Sequence, residues 1–516
     1  MFNDLVREKN KTDRVYTENG ASMYKTSGKE LLDLNFAVAS LRNATNDEIV
    51  ECFKKAYYED KVSAVRWLFF SRDIRENGLG ERRLFRVCLR WLATIESDFI
   101  VSVIPIIPFY GRFDDLWALL NVNSKVDTAI FDYIEKIISE DLKAYEKGEP
   151  ISLMAKWLPS INTSSLATRN TAKYIIKGMK GDERTYRKVL SKLRKYLDVV
   201  EVKISANEWD KVNYNTVPSL ANLKYSNAFY THDAYRRTRY LEDLKNGTNG
   251  AKINAEVLFP HEVVSKYSKN SAWLGRVKEY DEALEQLWKN LPKFSVDKNV
   301  LVMCDGSGSM TVQISGNTTA LHISNALAIY FAEQMKGEFN NKFMTFGAEP
   351  QLVDLSNLTT LHDKLDKSYS YDDCSNTNIE KAFMLVLNTA IKNNYKQSDM
   401  PDSILVISDM EFDCATGCGY YKSENAYETL FDTIAHRYED NGYKMPKLVF
   451  WNVNSRTKGI PVQENKLGVT LVSGFSTNIV KMVMSNETDP YKVLMEAINN
   501  EIYDEVEKLF VENTNR

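Results

Sequence analysis

Residues 301–310 read LVMCDGSGSM. An apolar run of four ends on Asp305, and Ser307 and Ser309 follow, alternating with Gly306 and Gly308. A carboxylate and two hydroxyls at this spacing place three oxygens on one side of a turn, and the glycines let the turn bend tightly without steric cost. Such a set suits a hard divalent cation, Mg²⁺ above all and Mn²⁺ or Ca²⁺ as alternatives, which takes oxygen ligands and tends to keep some of its waters. Two further stretches extend the set. YDDCSNTNIEKAF offers Thr377 at the start of an expected helix, and ILVISDMEFD offers Asp409 at the end of an expected strand. With so few formal charges around it, the ion stays electrophilic and keeps a position for an incoming carboxylate or phosphate.

Other chemistries fit this turn less well. A dinucleotide fingerprint needs a third glycine where Thr311 stands, and a P-loop needs a lysine that is absent. Ser307 lacks the glycine two residues earlier that a nucleophile elbow requires. An aspartyl-phosphate enzyme would want a second aspartate at Ser307. His322 and His436 fall in expected helices and read as packing or surface residues, so no nucleophile–base pair accompanies the turn and no enzyme is expected. Cys414 and Cys418 lie four apart, but the five histidines are scattered, which disfavours zinc.

The order Asp305, Ser307, Ser309, then Thr377, then Asp409 resembles the metal-ion-dependent adhesion site of von Willebrand factor A domains. The resemblance implies these five residues as the ion's ligands, directly or through water. One departure is local: CSN precedes Thr377 where a glycine pair is often seen, so Asp372 and Asp373 would crowd the ion or supplement its shell.

The elements around these residues agree. From about Lys293, short apolar runs (NVLVMCD, KFMTFG, SILVISD, KLVFWNVN, VTLVSG) alternate with helical stretches, the pattern of a mostly parallel, doubly wound α/β domain over 291–516. In such a sheet ligands bind beyond the C-terminal strand ends, where Asp305 and Asp409 stand. Residues 31–290 read instead as successive amphipathic helices with short connectors, which predicts a HEAT-like helical repeat closing into a ring or arc, although no strict period is present. Residues 1–30 read as an N-terminal extension.

Totals bound the class. The chain has 516 residues, 44% hydrophobic and 26% charged, values of a globular protein of two or more domains. No window reaches the roughly 20 apolar residues of a membrane span. The N-terminus lacks the apolar core of a secretory signal, and six irregularly spaced cysteines suit reduced thiols, so a cytoplasmic monomer is expected, in a host cytoplasm if the source is a phage.

The net charge of −4 hides an asymmetry: residues 1–290 hold 46 Lys and Arg against 40 Asp and Glu, and residues 291–516 hold 20 against 30. Basic side chains concentrate in a forty-residue stretch: Lys156, Arg169, Lys173, Lys177, Lys180, Arg184, Arg187, Lys188, Lys192, Arg194 and Lys195. Arg236, Arg237 and Arg239 follow among Tyr230, Tyr235 and Tyr240. Such a field attracts phosphates, and unpaired bases stack on interleaved aromatics.

The segments RDIRENGLGERRLFR (72–86), IPFYGRFDDLW (107–117), AKWLPSINTS (155–164), YRKVLSKLRKYLDVVE (186–201) and FPHEVV (259–264), joined to the C-terminal motifs, resemble the Ro autoantigen (TROVE-domain) family, and more closely its uncharacterised phage, bacterial and plant relatives. The resemblance implies a helical ring joined to an A domain. It also implies non-catalytic binding of small structured or misfolded RNA in a ribonucleoprotein. The rival expectation is an assembly component, such as a phage particle protein, that uses the metal site to capture a partner carboxylate. In RDIRENGLGERR the arginines, beside Glu76 and Glu81, are expected to pair across a helix–helix turn rather than to contact RNA.

Overall fold

The computed structural model describes residues 14–75, 78–269, 276–294, 299–372, 374–413, 430–456, 459–461, 469–474, 479, 482, 487 and 489–514. Two compact units are present, and neither is a continuous stretch of chain. One comprises Met1–Glu48, Lys54–Glu59 and Ala255–Ala497, the other Ile49–Phe53, Asp60–Asn254 and Ile498–Arg516. The boundaries expected at residues 30 and 290 therefore do not coincide with the compact units.

The first unit is built on a six-stranded sheet. Across it the strands run Val469–Ser473, Lys447–Asn452, Ser403–Ser408, Val300–Asp305, Lys342–Phe346 and Gln351–Asp354. All neighbours are parallel except the last pair, so the sheet is mixed, as the alternating pattern led one to expect. Val300–Asp305 and Ser403–Ser408 are buried at every position, which explains their continuous apolar sequence. The helix Ala320–Gln334 is almost wholly buried too, because it lies between the sheet and the helix Pro260–Tyr267. The order of the strands reverses between Val300–Asp305 and Ser403–Ser408, which makes their C-terminal ends the switch point where such sheets bind ligands.

Residues from before 48 complete this unit. The helix Glu30–Phe36 covers the outer strand Val469–Ser473. Asn452 Nδ2 donates to Phe36 O at 2.8 Å, and Ala39 N donates to Ser473 Oγ at 2.9 Å. An apolar edge strand left bare would invite pairing with other chains, and the N-terminal helix removes that hazard.

The second unit is helical. Its first helices are Asn46–Glu59 and Lys61–Arg72, separated where Asp60 turns extended and its carboxylate caps Ser63 N at 3.1 Å. The helices Arg82–Ile95, Ser124–Lys147, Leu166–Gly178 and Glu183–Tyr196 follow, with a 3-10 helix at Phe113–Leu119. Arginines of 72–86 pair across a turn with Asp114 and Asp115, and Glu76 lies outside the described residues. Buried Arg72 meets Asp115 Oδ2 at 2.8 Å, while Arg86 meets Asp114 at 2.8 Å and Asp115 at 2.6 Å.

The C-terminal helix Asp504–Thr514 belongs here because Arg66 holds it. The guanidinium is almost fully buried. It donates to Ile498 O at 2.9 Å and Asn500 O at 3.0 Å, and pairs with Asp504 at 2.9 Å and Glu507 at 2.5 Å. Edge-to-face packing of Phe99 on Phe510, with ring centres 5.0 Å apart, and a Tyr503–Asp73 hydrogen bond of 3.0 Å complete the contact. Arg66→Met would orphan the buried Ile498 carbonyl and the part-buried Asn500 carbonyl and unpair two carboxylates. It should destabilise the docked helix by about 2–3 kcal/mol, read as roughly 30- to 150-fold faster amide exchange across 504–514.

Candidate divalent-cation site and basic face

Asp305 and Asp409 are side by side because their strands are neighbours in register: Ile407 pairs with Cys304, so both strands end level. Both side chains are fully buried. Asp305 Oδ1 accepts from Ser307 N at 2.9 Å, which folds the turn back over the carboxylate, and Oδ2 accepts from Ser408 Oγ at 2.5 Å. Ser307 Oγ and Ser309 Oγ are 3.1 Å apart, beside the two carboxylates. Two carboxylates and two hydroxyls therefore share one corner.

The glycines have a specific role in this turn. A Cβ at Gly306 would come within 3.1 Å of Asp372 Oδ1, and one at Gly308 within 3.0 Å of Cys374 O. The turn and the 372–375 loop are in backbone contact, with Cys374 N donating to Gly306 O at 3.0 Å and Gly308 N to Ser375 O at 3.1 Å. This close approach brings the Thr377 loop to the site. Asp372 lies against Gly306 and accepts from Asn325 Nδ2 at 3.0 Å; Asp373, Cys414 and Cys418 lie outside the described residues. Thr377 is buried, and its carbonyl accepts from Asp413 N at 3.0 Å, which ties it to the loop after Asp409. Met410, in that loop, adopts a left-handed φ of 64°, a strained conformation for a side chain without compensating polar contacts of its own.

Burial pushes the carboxyls of Asp305 and Asp409 above the ordinary carboxylate range, and the charge of Asp305 raises Asp409 further. Arg456 offsets this in part, with Nη2 3.4 Å from Asp409 Oδ2. Among the described residues no group of three or more His, Cys, Asp and Glu gathers as a metal cluster. The candidate set is instead two carboxylates and the hydroxyls of Ser307, Ser309 and Thr377. An all-oxygen set of this kind, with its negative charge held out of water, fits a hard divalent cation rather than zinc.

Four participants had no clear signal in the sequence. Glu411, fully buried, accepts from Arg456 N at 2.9 Å and from Glu18 N at 3.0 Å. Asn19 Nδ2 donates to Glu411 O at 2.7 Å and to Thr377 Oγ1 at 3.3 Å. For Glu411 the spacing DMEFD was a usable hint; Arg456, Glu18 and Asn19 could be found only by folding the chain. His322 is buried in a helix N-terminal capping box with Thr319, its pKa lowered to about 4 by burial, and His436 is exposed on the helix Leu430–Asp440.

In the helical unit, the basic residues separate into two groups. Arg237, expected at an RNA surface, is fully buried over the rings of Tyr214, Phe229 and Tyr240 at 5.1–5.5 Å, so it serves the core rather than a solvent phosphate. Arg194 is likewise occupied, donating to Ala155 O, Leu158 O and Ser160 Oγ at 2.6–2.8 Å. Arg236 donates to Trp209 O and Val212 O and pairs with Asp233 at 3.0 Å. Half-buried Arg169 is turned to Thr163 O and Ser164 O, and half-buried Lys156 lies beside the Trp157 ring.

The others face solvent. On Leu166–Gly178, Lys173 and Lys177 are exposed one turn apart, with Lys180 just beyond. On Glu183–Tyr196, Arg184, Lys188, Lys192 and Lys195 are exposed at spacings of four, four and three, one helical stripe, with Arg187 beside it. Exposed Arg239 and Tyr235 line an open cavity of about 500 Å³ together with Lys211 and Arg236.

Residues 299–513 match the family model DUF7788, a domain of unknown function, and residues 17–97 and 128–294 match DUF2828, another domain of unknown function. The chain is 29% identical over 524 residues to "Uncharacterized protein L728" of Acanthamoeba polyphaga mimivirus, an alignment covering 94% of this chain and 87% of that protein. Among solved structures, the Deinococcus radiodurans RO (RSR) protein aligns over 94% of this chain and 96% of its own at 12% identity and a TM-score of 0.36, too distant to support a conclusion about this chain.

The raised carboxyls make a signed prediction. A folded-state pKa above the unfolded value means that the folded state binds more protons between the two, so stability rises as pH falls through that interval and is lost at higher pH. Without divalent ion, the wild type should therefore gain stability relative to Asp409→Asn on going from pH 8 to pH 5, measured by thermal unfolding. Added Mn²⁺ should stabilise the wild type more at pH 8 than at pH 5, because ion and protons compete. Arg456→Gln removes an opposing charge worth about 1 kcal/mol and should tighten Mn²⁺ binding about fivefold in calorimetry.

Proposed function

We propose that the chain is a non-catalytic RNA-binding protein of a ribonucleoprotein. In this reading the helical unit is a HEAT-like repeat that holds phosphates, and the α/β unit is an A-type domain whose Asp305, Ser307, Ser309, Thr377 and Asp409 hold Mg²⁺ or a similar ion. The observation that carries the RNA assignment is the exposed basic stripe of Arg184, Lys188, Lys192 and Lys195 next in sequence to Lys173, Lys177 and Lys180. Exposed cations attract a polyanion without reading its sequence, and each phosphate contact adds to the salt dependence of binding. Tyr235 and Arg239, exposed at an open cavity, supply stacking and charge for an unpaired base. Location in a cytoplasm belongs to the same proposal.

A second role, capture of a protein partner's carboxylate, is favoured by the donor set. A divalent ion with two protein carboxylates is formally neutral, but with hydroxyls as its other donors it would, when bound, supply an electrophilic position for an anionic ligand, beside the positive charge of Arg456.

The charge-reversed quadruple variant Lys173→Glu, Lys177→Glu, Arg184→Glu, Lys188→Glu tests the RNA assignment by fluorescence anisotropy with a structured small RNA. Affinity should fall at least about 100-fold, and the slope of log K against log salt should flatten by about 0.7–0.9 per lost contact. Arg237→Met, by contrast, should lower stability and leave the salt slope unchanged. Unaltered affinity in the quadruple variant would remove the assignment.

A further inference from the structure

Four guanidiniums, those of Arg72, Arg82, Arg86 and Arg112, gather around the carboxylates of Asp114 and Asp115 in the helical unit. Asp114 Oδ1 accepts from Arg112 Nε at 2.9 Å, and Oδ2 stands 2.7 Å from Arg112 Nη2 and 2.8 Å from Arg86 Nη2. Asp115 Oδ1 accepts from Arg86 Nε at 2.6 Å. Its Oδ2 accepts from Arg72 Nε at 2.8 Å and from Arg112 N at 2.9 Å. All four carboxylate oxygens are thus engaged. Gly111 permits this density, since a Cβ there would collide with Asp115 Oδ2 and Arg72 Nε. The ring of Trp157 lies 4.0 Å from the Arg112 guanidinium and fixes its plane.

Donors are left over. Among the described residues, Arg86 Nη1 and Arg112 Nη1 have no hydrogen-bond partner, and Arg82 makes neither a hydrogen bond nor an ion pair. Arg82 is exposed and stands one turn before Arg86 on the helix Arg82–Ile95, so the two share a face. Arg86 and Arg112 converge in turn on one oxygen of Asp114. Partial burial, and then repulsion by Arg112 and Arg86, hold the Arg82 guanidinium below its ordinary range despite the attraction of Asp114 and Asp115. An arginine kept in such a field without an ion pair raises the energy of the ligand-free protein.

We propose that Arg82, with the open edges of Arg86 and Arg112, is a binding site for a phosphomonoester dianion. Within the cluster four guanidiniums exceed two carboxylates by two charges, which a dianion balances and a single carboxylate does not. The planar fork of a guanidinium fits the paired oxygens of a phosphate. A terminal phosphate offers three oxygens to the three arginines, whereas a bridging phosphodiester offers two. That distinguishes this site from the exposed stripe on Glu183–Tyr196, which attracts phosphodiester charge in general. The phosphorylated end of an RNA and a free phosphorylated small molecule share this chemistry. The site does not depend on the RNA assignment, because inorganic phosphate alone can test it.

The probe is inorganic phosphate added to the full chain at about pH 8, where the dianion prevails, against chloride at matched ionic strength. The wild type should unfold at least about 3 °C higher in phosphate at roughly twenty times its dissociation constant. Arg82→Met should weaken calorimetric phosphate binding at least about tenfold. Without phosphate its midpoint should equal or exceed that of the wild type, because a repelling charge is gone. Arg82→Lys, which keeps the charge and loses the fork, should fall between the two in affinity. Equal phosphate responses in wild type and Arg82→Met, or an Arg82→Met midpoint well below wild type in chloride, would overturn the proposal. A preference for a 5′-phosphorylated over a 5′-hydroxyl oligoribonucleotide, abolished by Arg82→Met, would assign the site to an RNA end. Arg82-dependent phosphate binding without that preference would assign it to a small phosphorylated compound, and either result supports the site.

Discussion

Two buried carboxylates at the ends of adjacent parallel strands are the constraint around which the α/β unit is arranged. Held without water, Asp305 and Asp409 repel each other and resist ionisation. Their surroundings answer that cost: Ser408 and Ser307 N bind one, Glu411 N the other, and Arg456 brings a positive charge to the rim. The glycines of the first turn follow from the same requirement, since only a turn without side chains at 306 and 308 lets the Thr377 loop close in. A divalent ion would satisfy the pair more fully than these groups do, which is the physical ground for the proposed ion site.

The helical unit solves a different problem with its cations. Arg66, Arg72, Arg194 and Arg237 are spent internally, on carbonyl oxygens, buried aspartates and aromatic rings. The planar guanidinium, with five donors, can satisfy several acceptors at once and loses less hydration than an ammonium. Lysines are mostly left outside: Lys173, Lys177, Lys180, Lys188, Lys192 and Lys195 are all exposed. A charge count treats these two populations alike, although only the second can neutralise phosphate at low cost.

Chain segmentation and compact units differ for reasons of packing. Residues 31–48 read as the first helices of a helical region, but their apolar faces cover the outer strand of the sheet. Residues 498–516 follow the last strand, yet Arg66 and two aromatic contacts draw them into the helical unit. Helical periodicity reports that a face must be buried; it does not report against what.

The sequence by itself determined the class of each part and named the candidate donor residues. Continuous apolar strands ending on Asp305 and Asp409, and helices with three-and-four spacing, are local patterns that the backbone obeys wherever it folds. The tertiary structure decided which residues meet. Arg237 and Lys188 are both cations on helices, and nothing in their neighbourhoods along the chain says that one lies in an aromatic cage and the other in solvent. Likewise Glu18 and Asn19 lie more than 350 residues before Thr377 and Glu411, the residues they touch. Contacts of that separation are set by how the elements pack, and a one-dimensional pattern carries no term for it.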